Sequence, residues 1–102
     1  VDAVREFDAS VALAVEWAET RGDTLVLVTA DHDTGGLGII DGDYDDGVGE
    51  VRWGTEVHTA QWVPLFAFGP GAEHFSGVID NTDIGILIAK LLGIEDFPDL
   101  EP

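Results

Sequence analysis

The stretch Thr24-Leu25-Val26-Leu27-Val28-Thr29-Ala30-Asp31-His32, residues 24–32, decides the fold class of this chain. Residues 24–29 are apolar on both faces and rich in β-branched side chains. Such a run is typical of a strand that other elements cover on both sides. We therefore predict a buried strand that ends where Asp31 and His32 begin.

A helix precedes this strand. Residues 3–21 carry apolar side chains at the spacing of one helical face. Gly22 is a natural C-cap, because glycine adopts the left-handed backbone conformation without steric cost. The predicted apolar face consists of Val4, Phe7, Val11, Val15 and Ala18, and Leu13 and Trp17 widen it.

The part of the chain after the strand is glycine-rich and irregular from residue 33 to residue 61. Within it we predict two short strands, one around residues 37–40 and one around residues 51–53. A second buried apolar run follows at residues 62–68. It contains Pro64, and proline favours the edge or the end of a strand.

A second helix is predicted further along, where Asn81 or Thr82 can cap its start and Gly93 ends it. Residues 94–102 are acidic, contain two prolines and are expected to form a loose tail. The order helix, strand, excursion, strand, helix indicates an α/β layered fold. Two strands and two helices cannot cover a sheet on both faces. The apolar residues 25–28 therefore imply neighbouring strands that are not in this sequence.

Composition limits the possible partners. The 102 residues correspond to one domain at most, and 21 acidic against 4 basic residues give a net charge of −17. So acidic a chain repels phosphate backbones and anionic bilayers, which excludes nucleic-acid and membrane partners. The acidic residues either keep the surface solvated at high salt or collect metal ions, and their scatter favours salt adaptation. The absence of cysteine excludes disulfides and thiolate ligands.

Two of the three histidines stand where a metal site is expected. Asp31 and His32 follow the predicted strand, and ligands bind beyond the carboxyl ends of strands in α/β sheets. A carboxylate oxygen and an imidazole nitrogen are both zinc ligands. His58 comes 26 positions after His32, so only the fold can bring the two together. On residue type alone, a capping aspartate and a hydrogen-bonded structural histidine are the alternative.

Several segments resemble the motifs of one enzyme family. Residues 29–36, TADHDTGG, resemble the ADH-E/D-TGG motif of alkaline phosphatases. Residues 58–64, HTAQWVP, resemble the family's HT-x-x-x-VP segment, and residues 65–72 continue like its PVFAYGPGA strand and turn. Residues 75–77 and 81–84 resemble its closing F-x-G and NTDI segments. The order and spacing agree, and the resemblance covers nearly the whole chain.

The resemblance implies roles for individual residues. Asp31 and His32 match the two ligands of one zinc ion, and His58 matches a ligand of the neighbouring zinc. The family's nucleophilic serine, its magnesium ligands and its phosphate-clamping arginine match nothing here. Ser10 and Ser76 lie outside the family's serine motif. We therefore expect no catalytic residue in this chain and no hydrolysis by it alone.

The resemblance also implies the setting of the chain. Residues 1–102 would be a C-terminal fragment of a single catalytic domain, part of a three-layer α/β/α sandwich that is incomplete without the remainder of the enzyme chain. The expected activity is metal-dependent hydrolysis of phosphate monoesters to inorganic phosphate. The resemblance likewise implies a homodimer and a periplasmic or extracellular location.

Two other functions are kept open. One is a related metalloenzyme of the same superfamily, such as a phosphodiesterase or a phosphoglycerate mutase. Residues 33–36, DTGG, argue against the mutases, which resemble DHGN there. The other is a catalytically inactive fragment that binds metal or dimerises.

Four other features are given ordinary structural interpretations. Alternating aspartates from Asp41 to Asp45 resemble a calcium loop, but position 12 is Arg52 instead of glutamate, so a solvated acidic loop is expected. Arg52 itself and His74 are expected at the surface. Trp53 lies in the loop region near the predicted site, where an ordinary structural role is favoured over contact with substrate.

Overall fold

A computed structural model of the chain describes residues 2–42 and 49–97. These described residues form two α-helices, one 3-10 turn and six short strands that pair two by two. In chain order these are α1 (Asp2–Arg21), β1 (Val26–Val28), β2 (Asp33–Thr34), β3 (Leu37–Ile39), β4 (Val51–Trp53), β5 (His58–Thr59), β6 (Phe66–Phe68), the 3-10 turn Ala72–Phe75 and α2 (Asn81–Leu91).

The chain divides into two compact units. The helical unit comprises Val1–Thr29 and Leu65–Pro102, and the ladder unit comprises Ala30–Pro64. The helical unit contains α1, α2 and the antiparallel pair β1–β6, whereas the ladder unit contains the antiparallel pairs β2–β5 and β3–β4. The mixed helix and strand content confirms the predicted α/β class.

Helix α1 forms where the apolar spacing predicts it and ends at Gly22. The backbone of Gly22 is left-handed, with φ 70°, and its N–H donates to the Ala18 carbonyl at 3.0 Å. Ala18 is buried, but Val4 and Phe7 at the other end of the predicted apolar face are more than half exposed. The apolar face is thus only partly covered within this chain.

Strand β1 occupies the centre of the predicted apolar run and pairs with β6, with Leu27 opposite Ala67. All three β1 residues are half-buried, so the expected cover on both sides is not provided by the described residues. The predicted buried run 62–68 is wrong in its first half, because the strand starts only at Phe66. It is also wrong in its burial, since Phe66 is 64% and Phe68 is 38% exposed. Pro64 lacks the N–H that a ladder needs, and Trp62 is 83% exposed.

The N-cap of α2 is Asp80, not Asn81 or Thr82 as predicted from the sequence. The Asp80 carboxylate accepts from the Thr82 N–H at 3.0 Å, and the Asp83 carboxylate accepts from the Asp80 N–H at 3.1 Å. Together these bonds form a capping box, which satisfies donors at both ends of the first turn. An ionised aspartate also interacts more favourably with the positive helix end than the neighbouring amide or hydroxyl side chains do.

Helix α2 ends at Gly93, as predicted. Gly93 has φ 69°, and its N–H donates to Lys90, while the Ile94 N–H donates to Ala89. This pair of bonds is a Schellman motif. In the predicted tail, the Phe97 ring lies near α2, since a Cβ added to Gly85 would be 3.5 Å from it. Residues 98–102 of that tail lie outside the described residues.

None of the helices in the described part of the chain combines the length and the apolar character that a bilayer span requires.

Removing the carboxylate of Asp80 should loosen the first turn of α2. Hydrogen bonds from the backbone and the side chain of Thr82 hold the pKa of Asp80 below its ordinary value of 3.8. A lowered pKa stabilises the fold above pH 3.8, and this contribution is lost as the pH falls through the folded-state pKa. We expect Asp80→Ala to lose helical circular dichroism and thermal stability at neutral pH. Asp80→Asn, the matched control, should retain most of the cap but lose its acid dependence. Equal helix content in all three chains would contradict the cap.

Candidate metal centre

A two-residue antiparallel ladder brings the two predicted ligand segments together. In it, Asp33 of β2 lies opposite Thr59 of β5, and Thr34 lies opposite His58. Side chains of directly opposed residues lie on the same face of an antiparallel pair, and successive side chains alternate between faces. One face therefore carries Thr34 and His58, and the other carries Asp33 and Thr59. The backbone pairing spans the 26 positions that sequence spacing alone could not bridge.

The imidazole rings of His32 and His58 stack on each other. Their centroids are 3.6 Å apart, and their planes are inclined by 28°. A metal binds an imidazole nitrogen in the ring plane at about 2.0–2.1 Å. Two planes with this separation and tilt meet well beyond that reach. The two histidines therefore suit two adjacent ions and not one shared ion.

Contacts at Nδ1 orient the His32 ring. Nδ1 lies 3.2 Å from the backbone carbonyl oxygen of Asp33 and 3.3 Å from the hydroxyl oxygen of Thr34. In the tautomer with the proton on Nδ1, this nitrogen donates to the carbonyl oxygen, which can only accept, and the lone pair of the neutral ring is on Nε2. Metal-binding histidines are commonly held in this way, with the second ring nitrogen donating to a carbonyl or carboxylate.

The Asp31 carboxylate lies near the other ring nitrogen of His32, Nε2. Its Oδ1 accepts from the His32 backbone N–H at 3.0 Å, and its Oδ2 lies 3.3 Å from His32 Nε2. Two ligands at ordinary zinc distances in a tetrahedral site are about 3.3 Å apart. In the tautomer with its proton on Nδ1, Nε2 and Oδ2 are two electron-rich atoms that face each other across this gap. The type of donor and the separation both fit a divalent cation such as zinc.

Among residues 2–42 and 49–97, no group of three or more histidine, aspartate or glutamate side chains converges on one ion. Asp31 and His32 converge as a pair, and His58 stands beside them through its stacked ring. The chain thus offers two donors to one position and one donor to a neighbouring position. All three side chains are within reach of solvent.

A turn at Gly35, directly after β2, is hydrogen-bonded to the segment that precedes β5. Gly35 is buried, its N–H donates to the Val57 carbonyl at 3.0 Å, and its carbonyl accepts from Gly54 and Thr55. The Trp53 ring lies close to this turn, and a Cβ on Gly35 would be 2.4 Å from it. The ladder unit therefore depends on Gly35 having no side chain.

Sequence reasoning assigned no role to Asp33 and Thr59. The Asp33 carboxylate oxygen Oδ2 accepts from the Thr59 hydroxyl at 2.5 Å and from the Gly36 N–H at 2.9 Å. Each of the two residues directly follows a predicted ligand, and this position is the only sequence signal that could have indicated them.

The remaining candidate residues lie outside the ladder contacts. Arg52 pairs with Glu50 at 3.0 Å, and His74 lies 3.8 Å from Glu73, both on the surface as predicted. Each serine hydroxyl donates to a backbone carbonyl of its own segment, Ser10 to Glu6 and Ser76 to Glu73. Asp43 and Asp45 of the acidic loop lie outside the described residues.

Known proteins share both the sequence and the fold of this chain. The family model for alkaline phosphatase matches residues 46–94. Alkaline phosphatase of Escherichia coli strain K12 is 30% identical over 106 residues, which cover 88% of this chain and 22% of that protein. Streptomycin-6-phosphate phosphatase of Streptomyces griseus is 34% identical over 105 residues, which cover 86% of this chain and 23% of that protein.

The chain belongs to the alkaline phosphatase family. The solved structure of alkaline phosphatase from the Antarctic bacterium TAB5 matches with a TM-score of 0.78 and 34% identity, covering 88% of this chain and 28% of that chain. A TAB5 variant with Mg bound in its M3 site matches with a TM-score of 0.76 and 33% identity, covering 88% of this chain and 29% of that chain. The chain thus spans less than a third of these relatives and has part of an alkaline-phosphatase-like α/β fold.

A methyl group at Gly35 should displace Trp53. We expect Gly35→Ala to red-shift the emission of Trp53, measured after Trp17 and Trp62 are replaced by phenylalanine. The left-handed backbone of Gly35, with φ 86°, adds about 1–2 kcal/mol to the cost of the overlap. Gly22→Ala is the matched control, because Gly22 has φ 70° but nothing within 4 Å of the added Cβ. An unchanged Trp53 emission in Gly35→Ala would contradict the packing.

Proposed function

We propose that this chain supplies part of the two-zinc site of an enzyme that hydrolyses phosphate monoesters. Asp31 and His32 would bind one ion, and His58 would bind the adjacent ion. The convergence of Asp31 Oδ2 and His32 Nε2 at 3.3 Å, beside the stacked His58 ring, is the observation that carries the proposal. Membership of the alkaline phosphatase family supports the choice of substrate class.

The stacking distance also supports a pair of ions. Two-metal sites that act on phosphoryl groups hold their ions about 3.5–4 Å apart. The separation of 3.6 Å between the two ring centroids is similar to that distance. When bound, two zinc ions would supply positive charge on both sides of a phosphoryl group in transfer.

This chain's own residues would bind and orient. His32 would stay fixed through Nδ1, and Asp31 would hold its second oxygen on its own loop through the His32 N–H. We propose that the nucleophile and the magnesium ligands come from outside these 102 residues, and that residues 1–102 are a C-terminal portion of one catalytic domain. The chain alone would then bind zinc without turnover.

The wider setting is proposed on family grounds. The remainder of the enzyme chain is the expected partner, a homodimer the expected assembly, and the periplasm or the cell exterior the expected location. Phosphate monoesters and inorganic phosphate are the expected small-molecule ligands.

Zinc titration of single-histidine variants tests the site. We expect His32→Ala to weaken binding of the first ion, because Asp31 remains as a donor. We expect His58→Ala to abolish binding of the second ion, because the proposal assigns it no other donor in this chain. Zinc affinity is measured by isothermal titration calorimetry. A parallel titration with cobalt, which gives a visible absorption spectrum when bound, checks the affinities. His74→Ala is the matched control, since His74 is exposed and contacts only Glu73. Zinc affinity that falls as much in His74→Ala as in the other two variants would overturn the proposal.

Phosphate binding separates the enzyme from the alternatives. The net charge of −17 should prevent phosphate binding by the metal-free chain, so binding must appear only with zinc. Methyl phosphate should bind more tightly than dimethyl phosphate, because a dianion suits two cations better than a monoanion. Equal affinities would favour a phosphodiesterase, and zinc binding without any phosphate binding would favour an inactive metal-binding fragment.

We also propose that the acidic surface is an adaptation to salt. The described basic side chains that form ion pairs use nearby acids on the surface, and exposed pairs contribute little to stability. Most of the acidic side chains therefore have too few basic residues to offset their charge, and they repel one another. The exposed pairs are Arg5–Asp2, Arg21–Asp23 and Arg52–Glu50.

Lowering the salt should unfold the chain. The Debye length increases from about 3 Å at 1 M to about 30 Å at 0.01 M, so repulsion between acids is screened only at high salt. We expect the far-UV circular dichroism of the chain to be lost on dialysis from molar to millimolar sodium chloride. Spectra that are unchanged over this range would contradict salt adaptation.

A further inference from the structure

We infer that Asp33 is a positioning residue, and that its bond to Thr59 holds His32 and His58 in their stacked arrangement. The inference concerns the metal-free chain directly, and its consequence for zinc rests on the proposed function. It assigns a role to a carboxylate that contributes no donor to either ion in that proposal.

The geometry of the carboxylate is that of a cross-link. Asp33 Oδ2 accepts both the Thr59 hydroxyl at 2.5 Å and the Gly36 N–H at 2.9 Å. The first bond joins residues 26 positions apart, and the second closes the glycine turn that follows β2. Asp33 is half-buried, so water competes less for these bonds than it does at the exposed Asp31.

The position of this bond in the ladder explains how it acts on the histidines. Asp33 and Thr59 are directly opposed, and each follows one histidine in sequence. Because side chains alternate along a strand, a bond on one face fixes the register of the opposite face. A slip of one residue would turn His58 to the face of Asp33 and separate it from His32.

The backbone alone specifies this register weakly. The ladder is two residues long on each strand, and short two-stranded pairs are marginally stable in water. A charged acceptor with two donors is a stronger constraint than a neutral backbone bond. The Asp33 backbone adds to it, since its carbonyl oxygen lies 3.2 Å from His32 Nδ1, within hydrogen-bond distance.

Two variants remove this bond from opposite sides. Asp33→Ala also frees the Gly36 N–H, whereas Thr59→Val also frees the Gln61 N–H, which donates to the Thr59 hydroxyl at 3.3 Å. The loss of the Asp33–Thr59 bond is therefore what the two variants share. Thr59→Ser keeps the hydroxyl and should behave like the parent chain.

The matched control is Thr55→Val. The Thr55 hydroxyl accepts from the Val57 N–H at 3.3 Å within the same ladder unit. This substitution makes the same chemical change as Thr59→Val at a position outside the β2–β5 ladder.

The first measurement is a spectrum of the histidine ring protons in the metal-free 102-residue chain at one fixed alkaline pH. Stacked rings shift each other's resonances, and the exposed His74 serves as the internal reference. We expect the His32 and His58 signals to move toward the His74 position in Asp33→Ala and Thr59→Val, and to stay in place in Thr59→Ser and Thr55→Val. Signals that stay in place in Asp33→Ala or in Thr59→Val would overturn the inference.

The second measurement is zinc affinity in the same five chains. Loss of a residue that orients a metal ligand commonly weakens binding by about 10–100-fold, and we expect this range for Asp33→Ala and Thr59→Val. Affinity equal to the parent in both variants would overturn the positioning role. If the parent itself binds no zinc, the proposed function fails, while the ring spectra still decide whether Asp33 holds the stack.

Discussion

The pairing of Asp33–Thr34 with His58–Thr59 is the constraint on which the candidate site depends. It is a contact between segments 26 positions apart, and forming it requires the closure of a long loop. Once it forms, one face carries the stacked histidines and the other carries the Asp33–Thr59 bond. The geometry of the site therefore depends on a very small amount of regular structure.

The charge of the chain gives this pairing a second importance. With 21 acidic and 4 basic residues, repulsion opposes every compact arrangement of the chain. A divalent cation between Asp31 and His32 would offset part of that repulsion where the two segments meet. Zinc binding energy is also folding energy when the ligands are brought together only in the folded state. Metal binding and ladder formation would then stabilise each other.

The sequence predicts those features that local chemistry decides. Helix α1, its end at Gly22 and strand β4 form where spacing and turn residues indicate. The predicted N-cap of α2 is wrong by one residue. Three adjacent side chains can cap this helix, and only the capping-box contact to Asp83 selects Asp80. The ladder register, by contrast, depends on a long-range contact that no local pattern encodes. The sequence is therefore sufficient to propose Asp31, His32 and His58 as ligands. It is not sufficient to predict the bond between Asp33 and Thr59.

Different interactions stabilise the interior of each of the two units, and this difference bears on function. The buried apolar side chains of the described residues, Ala18, Phe75 and Ala89, all belong to the helical unit. In the described part of the ladder unit only Gly35 is buried, so hydrophobic burial stabilises it little. Small units without an apolar core commonly rely on a bound metal or another cross-link. The ladder unit has hydrogen-bonded turns and the Asp33 carboxylate in that role, and its two histidines stand where a metal could add to them.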